Sequence, residues 1–191
     1  MTMPEVRAPW LVRRQPPDRP TQVYATSLGW MRASAGQYWG VGSGSVEVFK
    51  SLPAERDAFA VNVRMLDPFV AITAFAGAGT VYGYSSASAE IMLFAREGAT
   101  RASQRRRVVS ATAPIFWYAS DSWPRPGGPE KFEFALTQPL FFQRPTQGAG
   151  QVEVGVRIEC SAGSGGFVLH GSSSELTANI PGLTVEWLWR R

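Results

Sequence analysis

The chain of 191 residues is poor in the residues that most often carry chemistry. It has one cysteine, Cys160, so no disulfide can form within it. It has one histidine, His170, which excludes a multi-histidine metal site. No paired-cysteine spacing typical of zinc occurs, and no G-x-S-x-G elbow is present for a nucleophilic serine. The longest apolar run, Phe69 to Gly79, is too short and too interrupted to cross a membrane as a helix. The first residues lack the apolar core of a secretory signal, which leads to the expectation of a soluble protein made in the cytoplasm. Lysine is scarce as well: of 19 basic residues two are lysines, Lys50 and Lys131, and 17 are arginines. That bias is either compositional or a choice of arginine for its planar, bidentate fork.

Turn formers and alternation are plentiful. The 19 glycines and 14 prolines make up about a sixth of the chain and suit many turns and few long helices. In Gln151 to Cys160, Val152, Val154, Val156, Ile158 and Cys160 share one face, opposite Glu153, Arg157 and Glu159. This period of two marks a strand with one wet face. Phe59 to Met65, Ala87 to Ala95, Lys131 to Leu136 and Leu183 to Trp189 repeat the pattern. Phe167-Val168-Leu169 adds a short apolar run. Eight to ten strand candidates roughly ten residues apart predict an all-β fold, an antiparallel β-sandwich of jelly-roll type. The expected division is an extended Pro/Arg-rich arm over 1–21 and a β-sandwich domain over 22–191.

Some segments fit less simply. Val23 to Leu28 reads as a strand that Trp30 and Met31 continue. Gly40 to Gly44 looks superficially like a phosphate cradle, but no Walker lysine follows, and a hairpin or bulge is the better reading. Leu52 to Ala58 is the best short-helix candidate, with Ser51 as cap. Phe69 to Phe75 is apolar almost throughout, which predicts burial on both faces or cover by another chain. The small residues of Tyr82 to Ala89 predict a close approach to that surface.

Three groups are candidate binding residues. Trp10, Leu11, Arg13 and Arg14 form an apolar and basic cluster in the arm, which docks on the domain's own flank or on a neighbouring subunit. Trp117, Tyr118, Asp121 and Trp123 place aromatic rings beside a carboxylate, a combination that suits a sugar ring or a protein interface. Arg101, Arg105, Arg106 and Arg107 sit in an expected polar loop. The run is short and lacks interleaved aromatics, which disfavours nucleic acid. The strand carboxylates Glu90, Glu133, Glu153, Glu159 and Glu186 fall where alternation already places solvent-facing residues.

In architecture alone the chain is similar to β-sandwich proteins of virus and phage particles. That resemblance implies a non-enzymatic structural subunit that self-associates into an oligomer or a virion or extracellular particle, without a cofactor. A carbohydrate- or receptor-binding module is the alternative from a different class.

Overall fold

The computed structural model describes residues 4–15, 21–37, 40–78, 83–113, 117–124, 132–144, 146, 150–166 and 170–189. They form strands β1 (Glu5–Arg7), β2 (Leu11–Arg14), β3 (Gln22–Ala25), β4 (Trp30–Gln37), β5 (Gly40–Pro53), β6 (Ala58–Leu66) and β7 (Phe69–Ala78). The second half contributes β8 (Gly83–Glu97), β9 (Thr100–Ala113), β10 (Trp117–Trp123), β11 (Leu140–Phe141), β12 (Gln151–Gly166), β13 (His170–Asn179) and β14 (Gly182–Trp189). No helix long and apolar enough to span a membrane occurs among them.

The fold is an all-β sandwich of antiparallel sheets. A front sheet runs β10-β7-β13-β4-β3, a back sheet β2-β5-β12-β8-β9, and a smaller sheet β1-β14-β6-β11. Chain order crosses repeatedly between front and back in the manner of a jelly roll, with the β3–β4 and β8–β9 hairpins each staying in one sheet. β6 leads into β7 through Asp67-Pro68, and β13 into β14 through Ile180-Pro181. Because β6 pairs with β14 and β7 with β13, these strands form one ribbon that passes from the small sheet into the front sheet.

The core follows from alternation. Val46, Val48, Ile91, Leu93, Val154, Val156 and Ile158 face Met31, Ala33, Ile72, Leu176 and Ala178 across the sandwich, all buried. Toward one end the filling shrinks to Ala35, Ala76, Ala87, Ala89 and Ala162 with buried serines. Those serines bond the backbone of the opposite sheet: Ser85 to the Gly171 carbonyl at 2.6 Å, Ser172 to Gly163 at 3.0 Å, and Ser174 to Ser161 at 2.9 Å. So the surface that closely approaches the small residues of β8 is the protein's own front sheet. Each hydroxyl finds an acceptor, which removes the cost of burying it.

Several expectations change. Arm residues are stitched into the sandwich: β1 pairs with β14, and β2 with β5. The prolines interrupt the ladder without preventing short strands between them. Leu52 to Ala58 is not a helix. Leu52 stays in ladder with Val152, β5 runs to Pro53, and a turn through Asp57 follows. A one- or two-turn helix is marginal by itself, whereas pairing along β12 is already established. Trp30 and Met31 begin a separate strand, because Gly29 at φ 93° turns the chain into a β3–β4 hairpin.

Arg96 to Arg107 is the β8–β9 hairpin, not a loop, and it turns tightly at Gly98. Gly40 to Gly44 is the start of β5 rather than a bulge. A Cβ on Gly42 would meet the Gln37 and Thr21 side chains, and one on Gly44 would meet Thr21 and Val23. Phe132 to Leu136 lies extended beside β6 with a single bridge, Arg64 to Ala135, rather than a full ladder. Phe132, Phe134 and Leu136 still point inward. The Phe167–Leu169 run, Tyr82 and Lys131 lie outside the described residues.

Candidate ligand-binding face

The outer surface of the front sheet is set by what its strands place out of phase with the core. β7 sends Phe69, Ala71, Thr73, Phe75 and Gly77 outward, while Val70, Ile72, Ala74 and Ala76 are buried. Within this chain the strand is therefore not buried on both faces, with Phe69 51% and Phe75 45% exposed. Ladder partners fix the neighbours. Ser120 of β10 and Ser173 of β13 stand opposite Phe75 on either side. Ser122 and Glu175 stand opposite Thr73.

Glycines carve the ground beside that ring. Gly77 faces Gly171 directly across the β7–β13 ladder, and Gly36 faces Ser173 across the β13–β4 ladder. Missing side chains leave a depression of about 190 Å³ lined by Gly36, Gln37, Phe75 and Gly171 to Ser173. A second depression, about 650 Å³, opens on the other side of Phe75. It is lined by Thr73, Ala74, Ser120, Asp121, Ser122 and Ser173. An exposed ring between a glycine-floored hollow and a hydroxyl-lined one suits a ligand that offers both an apolar face and hydroxyl groups.

The aromatic candidates divide. Trp117 and Tyr118 are exposed, at 66% and 72%. Tyr118 lies opposite Gly77, beside the Phe75 hollow. Asp121 lines the larger hollow, and its carboxylate accepts from the amides of Ser110 at 3.3 Å and Ser122 at 3.0 Å. Trp123 is half-buried, edge-on to Phe132 with ring centroids 5.9 Å apart, and so anchors a neighbouring segment. Sequence reasoning missed Phe75, Thr73, Ser173 and Gly36. The available signal was the spacing of Phe69 and Phe75, which puts both rings on one face of a strand.

The arm residues turn inward on the chain. Trp10 is buried at 3% exposure, and its indole nitrogen donates to the Ile180 carbonyl at 3.2 Å. Leu11 is exposed. Arg13 bridges Glu47 and Glu153, each at 3.3 Å, and lies 4.4 Å from the Phe49 ring centroid. Arg14 sits 5.9 Å from the Tyr24 ring.

The back sheet's outer face is the chemical opposite of the front. Glu47, nearly buried, receives Arg13, Arg96 at 3.4 Å and Arg157 at 3.9 Å. Arg96 also pairs with Glu153, and Arg157 with Glu159 at 3.0 Å. Beneath these guanidiniums lie Phe49 and Phe94, buried although they point out of the sandwich. The basic run belongs to the same scheme. Arg101 covers Phe94 at 5.2 Å, Arg105 pairs with Glu90 at 3.3 Å, and Arg106 covers Phe132 at 4.9 Å. Arg107 lies on β9, opposite Glu90. Arginine is used here as an intramolecular lid, where its planar cation both stacks and pairs.

Two further features complete the survey. A cleft of about 730 Å³ lies along β6 and β14, between Arg64, Glu133, Asp67 and Glu186. Among the described residues, no group of three or more His, Cys, Asp or Glu side chains is placed to hold a metal. Cys160 is buried, donates toward the Ala33 carbonyl at 3.1 Å, and burial pushes its thiol pKa up to about 12.

No family model matches the chain, and no curated protein does. Among solved structures the chain is similar to TmCBM61, a carbohydrate-binding module solved in complex with β-1,4-galactotriose. Identity is 11% and the TM-score 0.35, over 94% of this chain and 88% of that one. Likeness at this level transfers neither a ligand nor a site to this chain.

Proposed function

We propose that this protein is a non-enzymatic β-sandwich module that binds carbohydrate on the outer face of its front sheet. The observation that carries the reading is Phe75, an exposed ring with a glycine-floored hollow on one side and a hydroxyl-lined hollow on the other. A sugar ring presents apolar C–H groups on one face and hydroxyls around its rim. The first suit Phe75, and the second suit Ser120, Ser122, Thr73 and Ser173. Asp121, one residue out of phase with Ser120 and Ser122, turns to the other side of β10, where its carboxylate accepts from the Ser110 amide of the back sheet. Self-association through the arm loses its main attraction, because Trp10 is committed to the chain's own Ile180.

Affinity gel electrophoresis against soluble neutral polysaccharides tests the proposal. Wild-type protein is retarded by at least one of them, and Phe75→Ala runs free. Gly36→Leu fills the small hollow, since a Cβ there meets nothing nearer than the Ser172 carbonyl at 3.9 Å. That variant also runs free, with its melting temperature unchanged. If wild-type protein ignores every polysaccharide, or both variants bind as it does, the proposal fails.

A further inference from the structure

A second aromatic station stands on the same face. Phe69 and Phe75 are six residues apart on the outer side of β7, a separation of about 20 Å at about 3.3 Å per residue. Phe69 is not alone there. Trp30 of β4, 45% exposed, packs against it with ring centroids 6.3 Å apart and planes tilted by 57°. Asn179 of β13 lies in ladder with both residues and so sits between them. One sugar ring cannot reach both Phe75 and this pair.

The ground between the stations is polar but carries no net charge. β7 contributes Ala71 and Thr73, β13 contributes Ser173, Glu175 and Thr177, and β4 contributes Ser34 and Arg32. Arg32 and Glu175, the two charges among these described outward positions, pair with each other at 3.0 Å. Nothing there favours an anion or a cation, in contrast to the arginine–glutamate lattice of the back sheet. The layout also differs from that of a protein interface, which places apolar groups at the centre and polar groups on the rim. Along β7 and β13 the aromatic groups lie at the two ends and the hydroxyls between them, with Tyr24 exposed opposite Arg32 on the edge strand β3.

From this arrangement we infer that the ligand is a neutral polysaccharide segment, several sugar rings long. It lies along β7 and β13 from Phe75 to the Trp30–Phe69 pair. The inference rests on the carbohydrate reading of the Phe75 site and adds the ligand's length, charge and direction. Hydroxyls from three strands meet the middle of the chain, and each aromatic station stacks on a ring near one end.

Calorimetric titration with neutral β-1,4-linked oligosaccharides of glucose, xylose and galactose, from two to six rings, tests it. The probes are applied to wild-type protein, Trp30→Ala and Phe75→Ala. Affinity of the wild type is expected to rise roughly tenfold or more from two rings to six, as a tethered second contact gains effective concentration. Trp30→Ala removes that rise, whereas Phe75→Ala weakens binding at every length. Equal affinity for two and six rings, or a Trp30→Ala variant that keeps the rise, overturns the inference and leaves the carbohydrate reading standing. Absence of binding at every length removes both. Preference for an anionic chain such as polygalacturonate, with strong salt dependence, overturns the neutral assignment. A dimer in sedimentation equilibrium that Trp30→Ala abolishes would assign the face to a second copy of the chain and overturn the inference.

Discussion

Phe75 leans over Gly77. Two of its ring carbons, Cε1 and Cζ, lie 3.3 Å from where a Cβ on Gly77 would stand. The ring can lie along the sheet because nothing projects beneath it. Gly77→Ala should lift the ring, which is free to move on its solvent side, and should leave the fold intact. The expected loss is on the order of 1 kcal/mol of glycan affinity, the scale of one aromatic contact. Titration calorimetry beside a thermal melt checks this. Unchanged affinity would show that the tilt of the ring is immaterial.

Glu47 is the keystone of the back sheet, since three arginines converge on a carboxylate that is 9% exposed. Glu47→Ala strips the counter-charge from partly buried guanidiniums and should cost about 3 kcal/mol in urea unfolding. The solvent-exposed pair of Arg7 and Glu5 is the control, and Glu5→Ala should cost under about 1 kcal/mol. Equal effects at the two sites would contradict the lattice described above.

Trp10→Ala removes a buried indole and leaves the Ile180 carbonyl without that donor. The expected destabilisation is about 3–5 kcal/mol. A chain that starts at Gln22 loses β1, β2 and Trp10 together, so it should melt well below the full-length protein. If it melts with the full-length protein, the first twenty-one residues are a detachable arm.

Cys160 gives a pH dependence with a definite sign. Its thiol is protonated in the folded state up to about pH 12, while the unfolded thiol loses its proton at its ordinary pKa of 9.0. The folded state therefore binds more protons in that window. Stability from this group is complete below pH 9 and declines as pH rises from 9 toward 12. Cys160→Ala should flatten that decline in urea titrations. At neutral pH the wild-type thiol should react with a thiol reagent only at the rate of unfolding.

Much of the sandwich is legible where one face is wet. Gln151 to Cys160, Phe59 to Met65 and Leu183 to Trp189 alternate in sequence and lie in ladder in the fold. Legibility fails where both faces carry similar side chains. Phe69 to Phe75 looks almost uniformly apolar because its outward residues include the exposed rings of Phe69 and Phe75. Arg101 to Arg107 looks like a loop because arginine is used on both faces, over Phe94 on one and Phe132 on the other. The Gly36, Gly77 and Gly171 floor lies beyond any local reading. Those glycines come together only when β4 and β7 both pair with β13. Tyr118 is within reach because it shares a strand with Trp117 and Trp123, but the exposed Phe75 near it stands on the neighbouring strand.

The most direct measurement is a backbone amide chemical-shift titration with a bound neutral oligosaccharide. The account predicts that shifts concentrate on Thr73 to Gly77, Ser120 to Ser122 and Gly171 to Ser173, and that the back-sheet residues Glu47, Glu153 and Arg157 stay still. Shifts confined to the cleft of Asn62 to Pro68 and Glu186, or an absence of shifts at saturating sugar, would contradict it.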